Sequence, residues 1–203
     1  MRSASAQASG AHAVRLIAVS LITLSVAWNA AGAQRSDERY DDIFRKYTKR
    51  YFGVGFDWRR FKAQAMAESE LNPKARSRVG ARGLMQLMPS TYKLIASRRT
   101  EFTSIDDPEF NIAAGILHDR DMWRAWQKRV PDDERHNFMF ASYNAGEGTI
   151  LRASRTAQER KLDQSRWPSI ETVAPTVPRW RYAETLGYVK KIGRNYEGLK
   201  KER

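Results

Sequence analysis

Apolar residues along this chain recur at helical spacing between breaks of Gly, Pro and Asn, and no sustained alternation calls for a sheet. Tyr40, Ile43, Phe44 and Tyr47 share one stripe of a charged segment from Asp37 to Tyr51, which Gly53 and Gly55 interrupt. The pattern predicts a second helix from Asp57, an N-cap residue type, to about Leu71, where Asn72-Pro73 stops it. Lys74 to Arg82 reads as a basic loop, and Gly83 to Pro89 as a turn into a helix carrying Tyr92, Leu94 and Ile95. Asp107-Pro108-Glu109 sets a cap, an N1 proline and an early acid in order, opening a helix that reaches Trp126. The next helix starts near Asp132 or Asp133, carries Phe138 and Phe140, and ends around Tyr143. Asn144-Ala145-Gly146 then turns into a short helix to about Ala153, and the polar, proline-containing stretch from Ser154 to Pro178 reads as a long loop. Trp180 to Leu199 closes the pattern as an amphipathic helix, and the fold class is mostly α in a single domain.

The first 33 residues follow different rules. Arg2 and Arg15 precede an almost continuous apolar run from Leu16 to Trp28, and Ala31-x-Ala33 follows. This order is that of a secretory signal peptide, with an uncleaved anchor as the alternative, although the run is short of the roughly 20 residues a span needs. The expected organisation is therefore 1–33 as leader, 34–55 as an N-terminal helix and connector, and 56–200 as the main domain. Export to the periplasm or cell wall follows from that leader.

Composition narrows the chemistry. There is no cysteine, which removes disulfides, thiolate metal sites, a cysteine nucleophile and lipoprotein acylation. His12, His118 and His136 share no metal-like spacing, so neither a metal nor another cofactor is expected. The formal charge of +13 points to a polyanionic neighbour, and the leader weighs against nucleic acid and for a wall polymer or membrane surface. A solvated basic face unrelated to any substrate would carry the same charge.

One carboxylate sits where the helical pattern puts apolar residues. At 100° per residue Trp58, Phe61 and Ala65 form a stripe, Glu68 falls beside Phe61, and Glu70 lies opposite. Burial raises a carboxyl pKa, as a general acid near neutral pH requires, but a structural carboxyl held by a buried Arg or amide fits the periodicity equally well.

The neighbours of Glu68 separate these readings. The chain runs E-S-E-L-N-P-K-A-R-S-R-V-G-A-R-G-L-M-Q-L-M-P-S-T from Glu68 to Thr91, with S-Y-N-A-G at Ser142 to Gly146 and E-T-L-G-Y-V at Glu184 to Val189. These blocks, over roughly Phe56 to Tyr196, resemble the lytic transglycosylases of the soluble lytic type. The resemblance implies a goose-lysozyme-like helical domain with a glycan-binding cleft. It implies Glu68 as the single catalytic acid/base, and Ser77 hydrogen-bonding that carboxylate or the sugar's acetamido group. Gln86 and Met88 would line the cleft, with the Gly83 turn letting backbone approach the sugar. Tyr143 and Asn144 would contact the glycan, and Glu184 and Tyr188 would lie on the last helix with Tyr188 against the carboxylate. The chain departs from the usual pattern at Ser142, where alanine is common, and at Leu186, where arginine is frequent.

The implied substrate is the glycan strand of peptidoglycan, cut by a monomeric protein between N-acetylmuramic acid and N-acetylglucosamine without water. Hydrolysis on the same scaffold, or a wall-binding or secretion-apparatus module that does not cut, are the competing functions. Most glycosidases use two carboxylates, and no second one stands out in these blocks.

Overall fold

The computed structural model describes residues 38–201. The chain divides into two units, Met1–Tyr40 and Asp41–Arg203, so the expected leader lies outside the described residues. Among those residues no helix is long and apolar enough to cross a membrane.

The second unit is helical throughout. In chain order it holds α1 (Asp41–Phe52), α2 (Arg59–Ser69), α3 (Pro89–Ala96), α4 (Pro108–Trp126), α5 (Asp132–Ala145), α6 (Glu147–Glu159), α7 (Trp167–Val173), a 3-10 turn (Ala174–Thr176) and α8 (Tyr182–Lys201). Its core runs along α2, α4 and α5, where Phe61, Ile112, Ile116, Phe138 and Met139 are fully buried. Each such side chain contributes about 1.5–3 kcal/mol by leaving water. Trp126, Trp167 and Trp180 are buried too, which makes them core rather than free stacking platforms.

Local chemistry sets most helix starts. Asp107 Oδ1 accepts the Phe110 N–H at 3.0 Å, giving α4 its cap one residue ahead of Pro108. Asp57 Oδ1 accepts the Arg59 N–H at 3.1 Å and so opens α2. The helix ends at Ser69, two residues earlier than the Asn72-Pro73 signal places it. Glu70 (φ 54°) and Leu71 (φ 59°) both adopt left-handed backbone, and the Glu70 N–H closes on Met66 O at 3.2 Å.

Residues 154–178 are not a long loop. The helix begun at Glu147 runs on to Glu159 because Ile150, Ala153, Ser154 and Ala157 bury one continuous face. Trp167 and Ile170 then bury the inner face of α7, which Pro168 opens in the first turn. Polar composition hid the extension of α6, whose small Ala and Ser side chains contribute little apolar signal, and α7 is too short to show a sustained period.

α1 belongs to the same compact unit as the rest. It packs on α2 and α4, and Lys62 Nζ on α2 pairs with Asp41 Oδ1 at 2.8 Å in a largely buried contact. At the other side of α2 lies α8. Tyr188, Lys191 and Asn195, three and four residues apart on one face of α8, all meet α2. At the next residue, Tyr196 Oη donates to Asp57 Oδ2 at 2.9 Å.

Candidate active site

Glu68 occupies the last turn of α2 and is half-buried. The Tyr188 hydroxyl donates to its Oε1 at 2.6 Å, a contact between residues 120 positions apart. Burial pushes the carboxyl from its ordinary 4.5 up to about 7, against smaller opposing effects from the Tyr188 hydrogen bond and the Lys191 charge. The end of a helix, where unpaired carbonyls gather negative partial charge, also disfavours an ionised carboxyl. Lys191 Nζ offsets this by donating to Ala67 O at 3.1 Å, one residue before Glu68. Burial, the Glu68 charge and the shared hydrogen bond all hold the Tyr188 phenol far above its ordinary value, so it remains a donor throughout the working range.

The turn beyond Glu68 is tightly built. Arg82 and Leu87 exchange backbone hydrogen bonds at 2.9 and 3.0 Å, and Gly83 N–H reaches Ala75 O at 2.9 Å. The buried Asn111 clamps the turn from α4. Its Oδ1 accepts the Met85 N–H at 2.8 Å, while Nδ2 donates to Arg82 O at 3.0 Å and Ile105 O at 2.9 Å. Ser69 Oγ donates to Leu84 O at 2.8 Å, tying the turn to the residue beside Glu68.

Gly83 also has a role inside the turn itself. It is buried at φ +76°, and a Cβ there would lie 2.4 Å from Asn111 Nδ2. Its small size therefore makes room for the clamp. Replacing Asn111 with alanine strands the buried Met85 N–H and frees two carbonyls. A thermal or denaturant melt should show a loss of about 2–4 kcal/mol, with Gly83 and Met85 as the sites of increased hydrogen exchange.

The other expected residues divide by position. Tyr143, on α5, donates its hydroxyl to Met85 O at 2.7 Å and feels the Glu68 charge, so it joins the same neighbourhood through the turn. Gln86 takes a left-handed φ of 44°, and its amide donates to Gly83 O at 2.9 Å and Ala75 O at 3.2 Å. Met88 is exposed, while Leu84, Met85 and Leu87 are buried. The Ser77 hydroxyl accepts the Ala81 N–H at 2.9 Å within its loop, an acceptor contact that leaves its proton to donate elsewhere. Asn144 is exposed and accepts from Thr185 Oγ1 at 2.8 Å, which in turn accepts from Trp180 Nε1 at 3.0 Å. Glu184 is exposed and pairs at 2.8 Å with Arg181, the residue just before its helix.

Sequence reasoning passed over Lys191, Asn111 and Asp119. Lys191 was within reach, because it lies three residues after Tyr188 on the same helical face. Asp119 carried no such signal. It is fully buried on α4, and burial together with the Glu68 charge holds its carboxyl well above the usual range.

Together these features define a lysozyme-like, all-helical domain whose half-buried carboxyl is held by a tyrosine from the last helix. The profile of the transglycosylase SLT domain matches residues 42–165, and the chain belongs to that family. Tyr188 lies beyond the matched stretch, yet the fold returns it to Glu68. Among curated relatives, the chain is 32% identical over 172 residues to the membrane-bound lytic murein transglycosylase F of Shewanella pealeana, covering 79% of this chain and 34% of that protein. It is 33% identical to the same protein of Shewanella sediminis over 172 residues, with the same shares covered. The 70 kDa soluble lytic transglycosylase of Escherichia coli superposes with a TM-score of 0.57 at 30% identity, over 77% of this chain and 23% of that one. A complex of the 70 kDa soluble lytic transglycosylase with bulgecin A superposes with a TM-score of 0.55 at 28% identity, over 80% and 24%. The chain thus spans about a third of the length of these curated relatives and about a quarter of these solved chains.

Proposed function

We propose that the protein is a lytic transglycosylase of peptidoglycan in the cell envelope, with Glu68 as its only acid/base. The observation that carries this reading is the half-buried Glu68 carboxyl, held by Tyr188 at 2.6 Å and raised to about 7. A group with that proton affinity can both give and take a proton near neutral pH.

Tyr188 donates to Oε1, which leaves Oε2 to carry the exchangeable proton. Protonated Glu68 donates that proton to the oxygen linking N-acetylmuramic acid to N-acetylglucosamine, and the glycosidic bond breaks. The muramyl acetamido oxygen stabilises the developing cation, as in substrate-assisted glycosidases. The Glu68 carboxylate then takes the proton from the C6 hydroxyl, whose oxygen closes a 1,6-anhydro ring on C1. No water is consumed and Glu68 ends protonated, ready for another cycle. Asp119, the other carboxyl coupled to Glu68, is fully buried and cannot reach a sugar, which favours a single-carboxyl route.

In this reading Ser77, Gln86, Met88, Tyr143, Asn144 and Glu184 support or line the glycan site. The basic surface retains the protein on anionic wall, with a salt dependence that exposed charges would show.

The test is mass spectrometry of soluble products from purified sacculi. Muropeptides lighter by one water than the reducing-end form are expected. Hydrated reducing ends would replace ring closure with lysozyme-type hydrolysis, and a folded protein that pellets with sacculi without releasing product would be a wall-binding module. The pH profile gives a second check. Because the first step needs Glu68 protonated, kcat/KM should fall as pH rises through about 7. A profile flat from pH 6 to 8 would remove Glu68 as the acid.

A further inference from the structure

Gln64 lies four residues before Glu68, one turn earlier on α2, and both it and Asp119 of α4 are completely buried. Gln64 Nε2 donates to Asp119 Oδ1 at 3.3 Å. Asp119 Oδ2 and Gln64 Oε1, also buried, have no hydrogen-bond partner. The pair thus presents three acceptor oxygens to one donor group, and turning the Gln64 amide end for end leaves that count unchanged. A single proton on Asp119 resolves it, because a carboxylic acid and a primary amide can join through N–H···O and O–H···O together. Leaving either oxygen bare in a buried site is costly, and leaving an ionised carboxylate there is costlier.

We infer that Asp119 permanently carries a proton on Oδ2 and shares it with Gln64 Oε1. The two form a neutral acid–amide pair that keeps a second negative charge away from Glu68. The fold makes this neutrality matter. Glu68 on α2, Tyr143 on α5 and Tyr188 on α8 all interact electrostatically with Asp119. Lys191 on α8 is a cation acting on Glu68, and burial lowers the proton affinity of His118, beside Asp119 in sequence. An ionised Asp119 would therefore oppose the carboxylate form that Glu68 must adopt after giving up its proton. Neutral in this way, Asp119 leaves the charge state of Glu68 to burial, Tyr188 and Lys191.

Protonation in the fold but not in the unfolded chain makes stability fall with rising pH between the two pKa values. The decisive comparison is between the full-chain variants Glu68→Gln and Glu68→Gln/Asp119→Asn, since the first removes the contribution of Glu68 itself. Asparagine keeps both hydrogen bonds of the pair without a titratable proton. From pH 5 to 7 the ratio of the two unfolding constants should change about tenfold per pH unit. A ratio independent of pH would overturn the inference. If the double variant does not fold, the infrared spectrum of Glu68→Gln at pH 7 decides: a protonated-carboxyl stretch is expected, and its absence would overturn the proton.

A separate arm rests on the reading of Glu68 as the acid. Asp119→Asn with Glu68 intact should leave the falling limb of kcat/KM where it is. Movement of that limb to lower pH would show that a negative charge had been removed and would overturn the inference. The stability arm needs no activity, so failure of the glycan reading and failure of the acid–amide pair remain distinguishable.

Discussion

Glu68→Gln is expected to reduce glycan cleavage by about 10⁴-fold or more, because one side chain is asked to serve in both halves of the reaction. A positioned acid or base alone typically contributes about 10²–10⁴-fold. Glutamine preserves the shape and can still accept the 2.6 Å hydrogen bond from Tyr188 through its carbonyl oxygen, so the geometry should survive while proton transfer is lost. Stability supplies the control. The folded pKa of Glu68, about 7, exceeds its ordinary 4.5, so the folded chain binds more protons than the unfolded chain between those values. Stability is therefore lost as pH rises through that window. Glutamine escapes the penalty, and the variant should be more stable than the parent above pH 7 by about 2–3 kcal/mol in a denaturant melt. An inactive variant that is also destabilised at high pH would indicate a structural carboxyl instead. Turnover retained in the variant would end the proposed mechanism.

The next largest effect is expected from Tyr188→Phe. The phenylalanine ring fills the same space but removes the donor to Glu68 Oε1. A hydrogen bond to a charged group contributes about 1.5–3 kcal/mol. It matters most when Glu68 is ionised, so the loss should fall mainly on kcat, by about 10–100-fold. Because the Tyr188 hydrogen bond lowers the Glu68 pKa, its removal should also move the falling limb of kcat/KM to higher pH. A purely structural tyrosine would change stability without moving that limb. A change confined to KM would make Tyr188 a glycan contact rather than a partner of the carboxyl.

Much of the helical plan is legible in the pattern of apolar positions and turn residues. The Asp107-Pro108-Glu109 start of α4 is one such case, since cap, proline and acid each act within a single turn. α6 and α7 are the counterexample. The buried face of α6 depends on small residues such as Ala153, Ser154 and Ala157, whose apolar signal is weak until partner helices are in place, and α7 is so short that Trp167, Ile170 and Val173 show no sustained period. The inward placement of Glu68 was readable from its register with Phe61, because helical periodicity is local. That Gly83 must lack a Cβ to admit Asn111, 28 residues away, was not readable, because the contact exists only after α4 has packed on the turn.

The sequence by itself determined the all-helical class, the family blocks and the one carboxylate set among apolar residues, because periodicity, capping and motif spacing act over a few turns. Only the tertiary structure decided what surrounds that carboxylate. Tyr188 and Lys191 arrive from α8, more than a hundred residues away, and Asp119 and Asn111 arrive from α4. Proton affinity depends on burial and on charges gathered from several helices, and those quantities exist only after the helices have packed.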